Sequence, residues 1–86
     1  MKLKKEFITH TSHGEHIMIA SDKGEFSGLV YSNATAATII EMLKNEITKE
    51  KIVKMMCKKY DAPTIIVEQD VENIIKTLRS IHALDE

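Results

Sequence analysis

The feature that most constrains this fold is an apolar stripe in the last third of the chain. Six apolar residues recur there at three- and four-residue spacing: Val67, Val71, Ile74, Ile75, Leu78 and Ile81. At about 100° per residue they span roughly 120°, the width of one core-facing side of a helix. The spacing predicts a helix from about residue 64 to 83, which needs another layer to cover its apolar side.

Two shorter helices are predicted before it. The first covers residues 33–43, where Ser32 or Asn33 can cap the free amides of the opening turn. The second follows Thr48, a further capping residue, and carries apolar residues at helical spacing. It ends at "DAP", because Pro63 lacks an amide hydrogen and pushes the preceding residue out of helical geometry.

The first third of the chain contains all three glycines and is punctuated like strands and turns. Strands are predicted at residues 7–11, 16–20 and 25–31, with a hairpin turn at His13-Gly14. Gly28 weakens the third strand and indicates a bulge or the close approach of another backbone. The prediction is one α+β domain over residues 1–86, a three-stranded antiparallel sheet followed by three helices.

Composition excludes several classes of function. The net charge of −1 gives no basic excess for binding nucleic acid. Cys57 is the only cysteine, which rules out an internal disulfide and a thiolate zinc site and suits the reducing cytoplasm. No apolar run approaches the about 18 residues of a membrane span, so a membrane partner is not expected.

Few residues of the sequence are candidates for metal binding or catalysis. The series His10, His13 and His16 has the spacing H-x-x-H-x-x-H, but it straddles the hairpin turn, which sends the imidazoles in different directions. No metal site is expected there, because the spacing matches no motif with a mechanism. Cys57 lies near a helix C-terminus, where the dipole opposes a thiolate. No cofactor and no catalytic residue are predicted, and the chain is not expected to be an enzyme.

In a helix-turn-helix interpretation, "YDAPT" joins the second and third helices, and the charges of these two helices decide whether they suit DNA. The second helix groups three lysines on one side: Lys51, Lys54 and Lys58. The third helix, which would enter the major groove, begins with three acids: Glu68, Asp70 and Glu72. Acids oppose a polyanionic backbone, so nucleic acid is not the expected partner. A winged-helix DNA-binding regulator is kept as an alternative.

The third strand raises a different possibility. Residues 28–31, "GLVY", contain neither the charge nor the proline with which proteins usually protect a sheet edge. An unprotected edge is covered by the protein's own helix, joined by an extended peptide, or paired with a second copy of the chain. A homodimerisation module is therefore a further alternative, and the chain is expected to be a monomer or weak homodimer.

Three motifs in order resemble PqqD-like proteins, also called RiPP recognition elements. "VYSNATAATI" is similar to the family's "v-x-L-N-x-T-A-x-x-I", with Ser32 in place of leucine, and "TKEKI" is similar to its Thr-capped second helix. "DVENIIKTLRSIHAL" is similar to "D-V-x-x-F-L-x-x-L-x-x-x-G-L", with Ala83 in place of glycine. The resemblance covers residues 15–86, although "LKNEIT" between the first two helices is shorter than usual and lacks glycine.

The resemblance implies a winged helix-turn-helix-like fold that binds peptide instead of DNA. Such domains hold the leader segment of a ribosomally made precursor by strand addition to the third strand. They present it to a modifying enzyme, commonly a radical S-adenosylmethionine protein. The implied peptide-binding residues on the strand side are Gly28, Leu29, Val30 and Tyr31. On the third helix they are Ile74, Ile75 and Leu78, with Asp70 and Arg79 to select charge; periodicity leaves open which of the apolar three face the core.

Overall fold

The computed structural model describes residues 1–12, 15–20, 28–31 and 33–86. Its elements are β1 (Lys2–Leu3), β2 (Phe7–Ser12), β3 (Glu15–Ala20), β4 (Gly28–Tyr31), α1 (Ala34–Met42), α2 (Lys49–Tyr60), α3 (Thr64–Ser80) and β5 (Leu84–Asp85). This is an α+β fold with three helices, as the sequence predicts. The predicted turn at His13-Gly14 and the start of the predicted third strand, residues 25–27, lie outside the described residues.

The strands form two antiparallel sheets, whereas the sequence analysis predicted one. Strands β2, β3 and β4 form one sheet in that order, and β1 pairs with β5 in the other. The small sheet joins the two ends of the chain, since Lys2 pairs with Asp85 and Leu3 with Leu84. The Lys4 amide also donates to the Ala83 carbonyl (2.9 Å), and the Leu3 amide ties this end to the end of α1 by donating to the Leu43 carbonyl (2.8 Å). Two-residue strands have no periodicity of their own, so the sequence pattern gives no sign of them.

The helix starts follow the predicted caps. Asn33 caps α1, since its side-chain oxygen accepts from the amides of Thr35 (2.7 Å) and Ala36 (3.3 Å). The Thr48 hydroxyl accepts from the amide of Lys51 (3.2 Å) and begins α2 in the same way. Each cap satisfies amides that have no partner within the helix.

The end of α3 comes earlier than the predicted residue 83. His82 takes a left-handed conformation (φ 58°), and its amide donates to the Arg79 carbonyl (3.0 Å). The Ala83 amide donates to the Leu78 carbonyl (2.9 Å). This pair of bonds is a Schellman motif, which usually has glycine where His82 stands. The motif turns the chain back, so that buried Ala83 and Leu84 pack against the core.

The three helices supply most of the described core, and Met18 of β3 reaches it from the larger sheet. Met18 of β3 is fully buried, and α3 contributes Val67, Val71, Ile75 and Leu78. Ile39 and Ile40 of α1 and Ile52 and Met56 of α2 complete its centre. No helix of the described residues is long and apolar enough to cross a membrane.

Candidate peptide-binding groove

Strand β4 is an edge strand. It pairs with β3 in a register that runs from Ile19–Gly28 to His16–Tyr31, and no other described strand lies beside it. In an antiparallel strand, successive residues direct their main-chain N–H and C=O groups to alternate sides. Two of the four β4 residues therefore direct these groups away from β3, which is the arrangement that an added strand requires.

A groove between α1 and α3 begins next to the end of β4. Asn33, two residues after the last residue of β4, lines a crevice of about 100 Å³ together with Thr35 and Ala36 of α1. The opposite wall consists of Asp70, Asn73 and Ile74 of α3. We call this space the Ile74 crevice. It begins near the C-terminal end of β4, because only one residue of the sequence separates Tyr31 from Asn33.

A second crevice of about 80 Å³ continues the groove along α3 toward the start of that helix. Its apolar lining is Met56, Ala62, Val67 and Val71, with Tyr60 at the end of α2. We call it the Val67 crevice. Thr35 and Asp70 line both spaces, so these two residues mark the boundary between them. The two crevices together are the α1–α3 groove.

The structure separates the predicted apolar residues of α3. Ile74 is partly buried and lines the groove. Ile75 and Leu78 are 1% and 0% exposed, so both belong to the core and their placement on the groove wall needs correction. Neighbouring helix positions differ in direction by about 100°, and with α1 and α2 packed on α3 only Ile74 of these three lies at the groove.

Arg79 also lies apart from the two crevices. Its guanidinium donates to both carboxylate oxygens of Glu86, at 3.0 and 2.8 Å. The hydrogen bond from Arg79 lowers the pKa of the Glu86 carboxyl, and the one to Glu86 raises the pKa of Arg79. Nine residues of helix separate Arg79 from Asp70, about 13 Å along the axis. The predicted pair of charge-selecting residues thus reduces to Asp70 at the groove.

The Tyr31 side chain lies in another cleft. Its ring stacks on His16, with centroids 5.2 Å apart, and His16 Nδ1 hydrogen-bonds the Thr11 hydroxyl at 2.9 Å. Glu41 and Lys59 also line this cleft of about 470 Å³, which faces α1 from the sheet. Burial, and then the charge of Glu41, raises the pKa of Tyr31. The Tyr31 side chain is therefore not among those that line the two crevices.

The sequence matches the model of the family described as "Coenzyme PQQ synthesis protein D (PqqD)" over residues 15–84. The chain belongs to the PqqD family. No curated protein matches it significantly.

Two solved structures resemble this PqqD-family domain in fold. One is TbiB1 in complex with the TbiA(beta) leader peptide, 22% identical over 99% of this chain and 95% of that one, with a TM-score of 0.77. The other is lasso peptide synthetase B1 complexed with the leader peptide, 19% identical over 92% and 89% of the two chains, with a TM-score of 0.69. Each of those two structures is a complex with a leader peptide.

Several groove residues escaped the sequence analysis. Asn33 appeared there as a cap and, like Thr35 and Ala36, as a position of the motif "VYSNATAATI". Asn73 was not singled out, although it lies three residues after Asp70 and just before Ile74. That i, i+3 spacing is the signal that would have found it, because residues three apart share one side of a helix.

His10, His16 and the lysines of α2 lie apart from the groove, and His13 lies outside the described residues. His10 pairs with Ile17 and Thr11 with His16, so His10 and His16 lie on opposite faces of the sheet. Within the described ranges, no three His, Cys, Asp or Glu side chains form a group that could hold a metal ion. Lys51, Lys54 and Lys58 are exposed on α2, away from the groove.

Proposed function

We propose that this PqqD-family domain is a non-catalytic peptide-binding protein. It holds the leader segment of a ribosomally synthesised precursor peptide by strand addition to β4 and presents that segment to a modifying enzyme. The observation that carries the proposal is the edge position of β4, which has no strand partner on its second side among the described residues. The leader peptides bound to the two proteins of similar fold support it.

Strand addition accounts for affinity with few side chains. Each main-chain hydrogen bond contributes about 0.5–1.5 kcal/mol net, and β4 offers its polar groups over Gly28–Tyr31. Every second side chain of the added strand faces the α1–α3 groove, where Ile74 supplies apolar contact and Asp70 supplies charge. A bound leader raises the effective concentration of the precursor at the enzyme's active site, which needs no chemistry from this domain.

The family resemblance favours a radical S-adenosylmethionine protein as the modifying enzyme. It also favours a winged helix-turn-helix description of the fold. The charges of α3 argue against DNA as the ligand, because Glu68 and Asp70 are exposed on this helix while Glu72 pairs with Lys49. A gel-shift assay with duplex DNA at low ionic strength checks this point, and no shift is expected.

The direct test adds candidate leader peptides, taken from any short open reading frames found near this gene, to the ¹⁵N-labelled domain. Chemical-shift changes are expected at residues 28–31 and at Asp70 and Ile74. A second peptide set carries one N-methyl group at successive leader residues, which removes one N–H at a time. Because only alternate residues face β4, affinity is expected to fall at every second position.

The matched protein variants are Val30→Pro, which deletes an amide of β4, and Lys54→Ala, which removes an exposed charge from α2. Val30→Pro is expected to weaken leader binding far more than Lys54→Ala. Equal losses, shift changes confined to the helices, or uniform tolerance of N-methylation would contradict strand addition. The same edge also fits a second copy of the chain, and a molar mass that rises with concentration in sedimentation would favour that alternative.

A further inference from the structure

Asp70 occupies a distinctive place in the α1–α3 groove. Of the described residues, it alone brings a charged side chain to the lining of the two crevices, which otherwise present apolar groups, hydroxyls and the amides of Asn33 and Asn73. Asp70 is exposed, and none of the ion pairs among the described residues includes it. The groove therefore carries one negative charge at its midpoint.

Apolar surface lies one helical turn to either side of this charge. Ile74 follows Asp70 by four residues and lines one crevice. Ile66 precedes it by four residues and is 48% exposed, so it presents apolar surface to solvent beside the groove. Four residues correspond to about 6 Å along the helix axis. The sequence of surfaces along α3 is thus apolar, acidic, apolar at about 6 Å spacing.

An extended peptide has a closely similar repeat. Its side chains alternate in direction, so those on one side recur every two residues, about 6.6–6.8 Å apart. A strand bound to β4 and running along α3 would place three successive inward side chains opposite the Ile74 crevice, Asp70 and Ile66. The Ile74 crevice of about 100 Å³ suits an aliphatic side chain, since a cavity that holds benzene measures about 150 Å³. Exposed Ile66 offers apolar contact to a second one.

We infer that the groove selects leader peptides with the pattern aliphatic-x-Lys/Arg-x-aliphatic, in which the basic residue pairs with Asp70. This inference rests on the proposed strand addition and specifies its substrate. The Asp70 carboxylate is exposed, so a long basic side chain of the peptide can reach it. The aliphatic stem of that side chain packs on Ile66 or Ile74.

The test is a selection of random dodecapeptides by messenger-RNA display against the full chain and against two variants. Against the wild type, enriched peptides are expected to share the aliphatic-x-basic-x-aliphatic pattern. Against Asp70→Asn, the basic preference is expected to disappear while the aliphatic positions persist. Against Asp70→Lys, an acidic residue is expected in the central position. Enriched wild-type peptides are expected to bind Asp70→Asn about tenfold more weakly.

Glu68→Gln is the matched control, because Glu68 is an exposed acid of α3 that lines a different cleft with Lys49, Glu50 and Val53. It should leave the selected pattern unchanged. Peptides that lose affinity on alternate N-methylation but show no central basic residue would overturn this inference and leave the proposed function standing. The absence of enriched peptides, or binding without shift changes at residues 28–31, would overturn both. Equal effects of Glu68→Gln and Asp70→Asn would attribute the basic preference to the overall negative charge of α3. They would contradict this inference and leave the proposed function standing.

Discussion

Adjacent isoleucines of α3 offer the sharpest test of how this domain divides its apolar residues. Ile75 is 1% exposed and belongs to the core, whereas Ile74 is partly buried and lines the groove. Replacing each by alanine removes the same atoms from the same helix. We expect Ile75→Ala to reduce stability with little effect on the leader affinity of the folded protein. Ile74→Ala is expected to weaken leader binding and to reduce stability much less.

The magnitudes follow from burial. Truncating a fully buried isoleucine to alanine costs about 2–5 kcal/mol, and a value near 3 kcal/mol is reasonable for Ile75. A domain of this size has a total stability of about 4–13 kcal/mol, and the melting temperature shifts by about 4–8 °C per kcal/mol. Ile75→Ala should therefore lower the melting temperature by about 12–24 °C. Ile74→Ala should cost about 1 kcal/mol of stability, because part of that side chain is already in water.

The assay combines urea unfolding, followed by far-ultraviolet circular dichroism, with calorimetric titration of the leader peptide at low temperature. Ile74→Ala is expected to weaken leader binding about tenfold, or about 1.4 kcal/mol. If Ile75→Ala proves too unstable to titrate, Ile75→Val costs only about 0.5–1.5 kcal/mol and replaces it. A greater loss of stability from Ile74→Ala than from Ile75→Ala would refute the assignment of core and groove, as would an unchanged leader affinity in Ile74→Ala.

Two further predictions concern stability. Asn33→Ala removes the acceptor for two amides of the first α1 turn and should cost about 1 kcal/mol in urea unfolding, while Asn33→Ser, which keeps a capping oxygen, should restore most of it. The hydrogen bond from Lys49, and then its charge, lowers the pKa of Glu72 from its ordinary value of 4.5. The stabilisation that this ion pair gives is therefore present above pH 4.5 and is lost as the pH falls through the lowered pKa. Glu72→Gln should therefore flatten the decline of stability with pH below 4.5, and Glu50→Gln should leave it unchanged; equal slopes in both variants would contradict the assignment.

The helices could be predicted because each carries its own local signals. Capping by Asn33 and Thr48 and the break before Pro63 act over a few residues, so they are visible in a single sequence. The end of α3 was placed too late, because the left-handed residue that ends it is His82 instead of the usual glycine. A non-glycine residue at that position gives no local sign of the conformation it adopts.

The groove was predictable only in part. The edge position of β4 was predictable because β4 is the last strand of a three-stranded sheet. The β1–β5 pairing was not, because it depends on contacts between the two ends of the chain. The apolar stripe of α3 could not distinguish Ile74 from Ile75, because a stripe of roughly 120° covers both core and rim positions. That distinction requires the positions of α1 and α2, which no pattern within α3 specifies.

The small size of the domain has a consequence for recognition. The buried residues Ile75 and Leu78 of α3 are committed to a thin core, so few apolar side chains are left to bind a ligand. Under the proposed strand addition, affinity comes largely from main-chain hydrogen bonds along β4, which are the same for any peptide sequence. Discrimination falls to the few side chains at the groove, of which Asp70 carries the charge. A receptor of this kind should tolerate substitutions at outward-facing leader positions and resist them at the three inward positions.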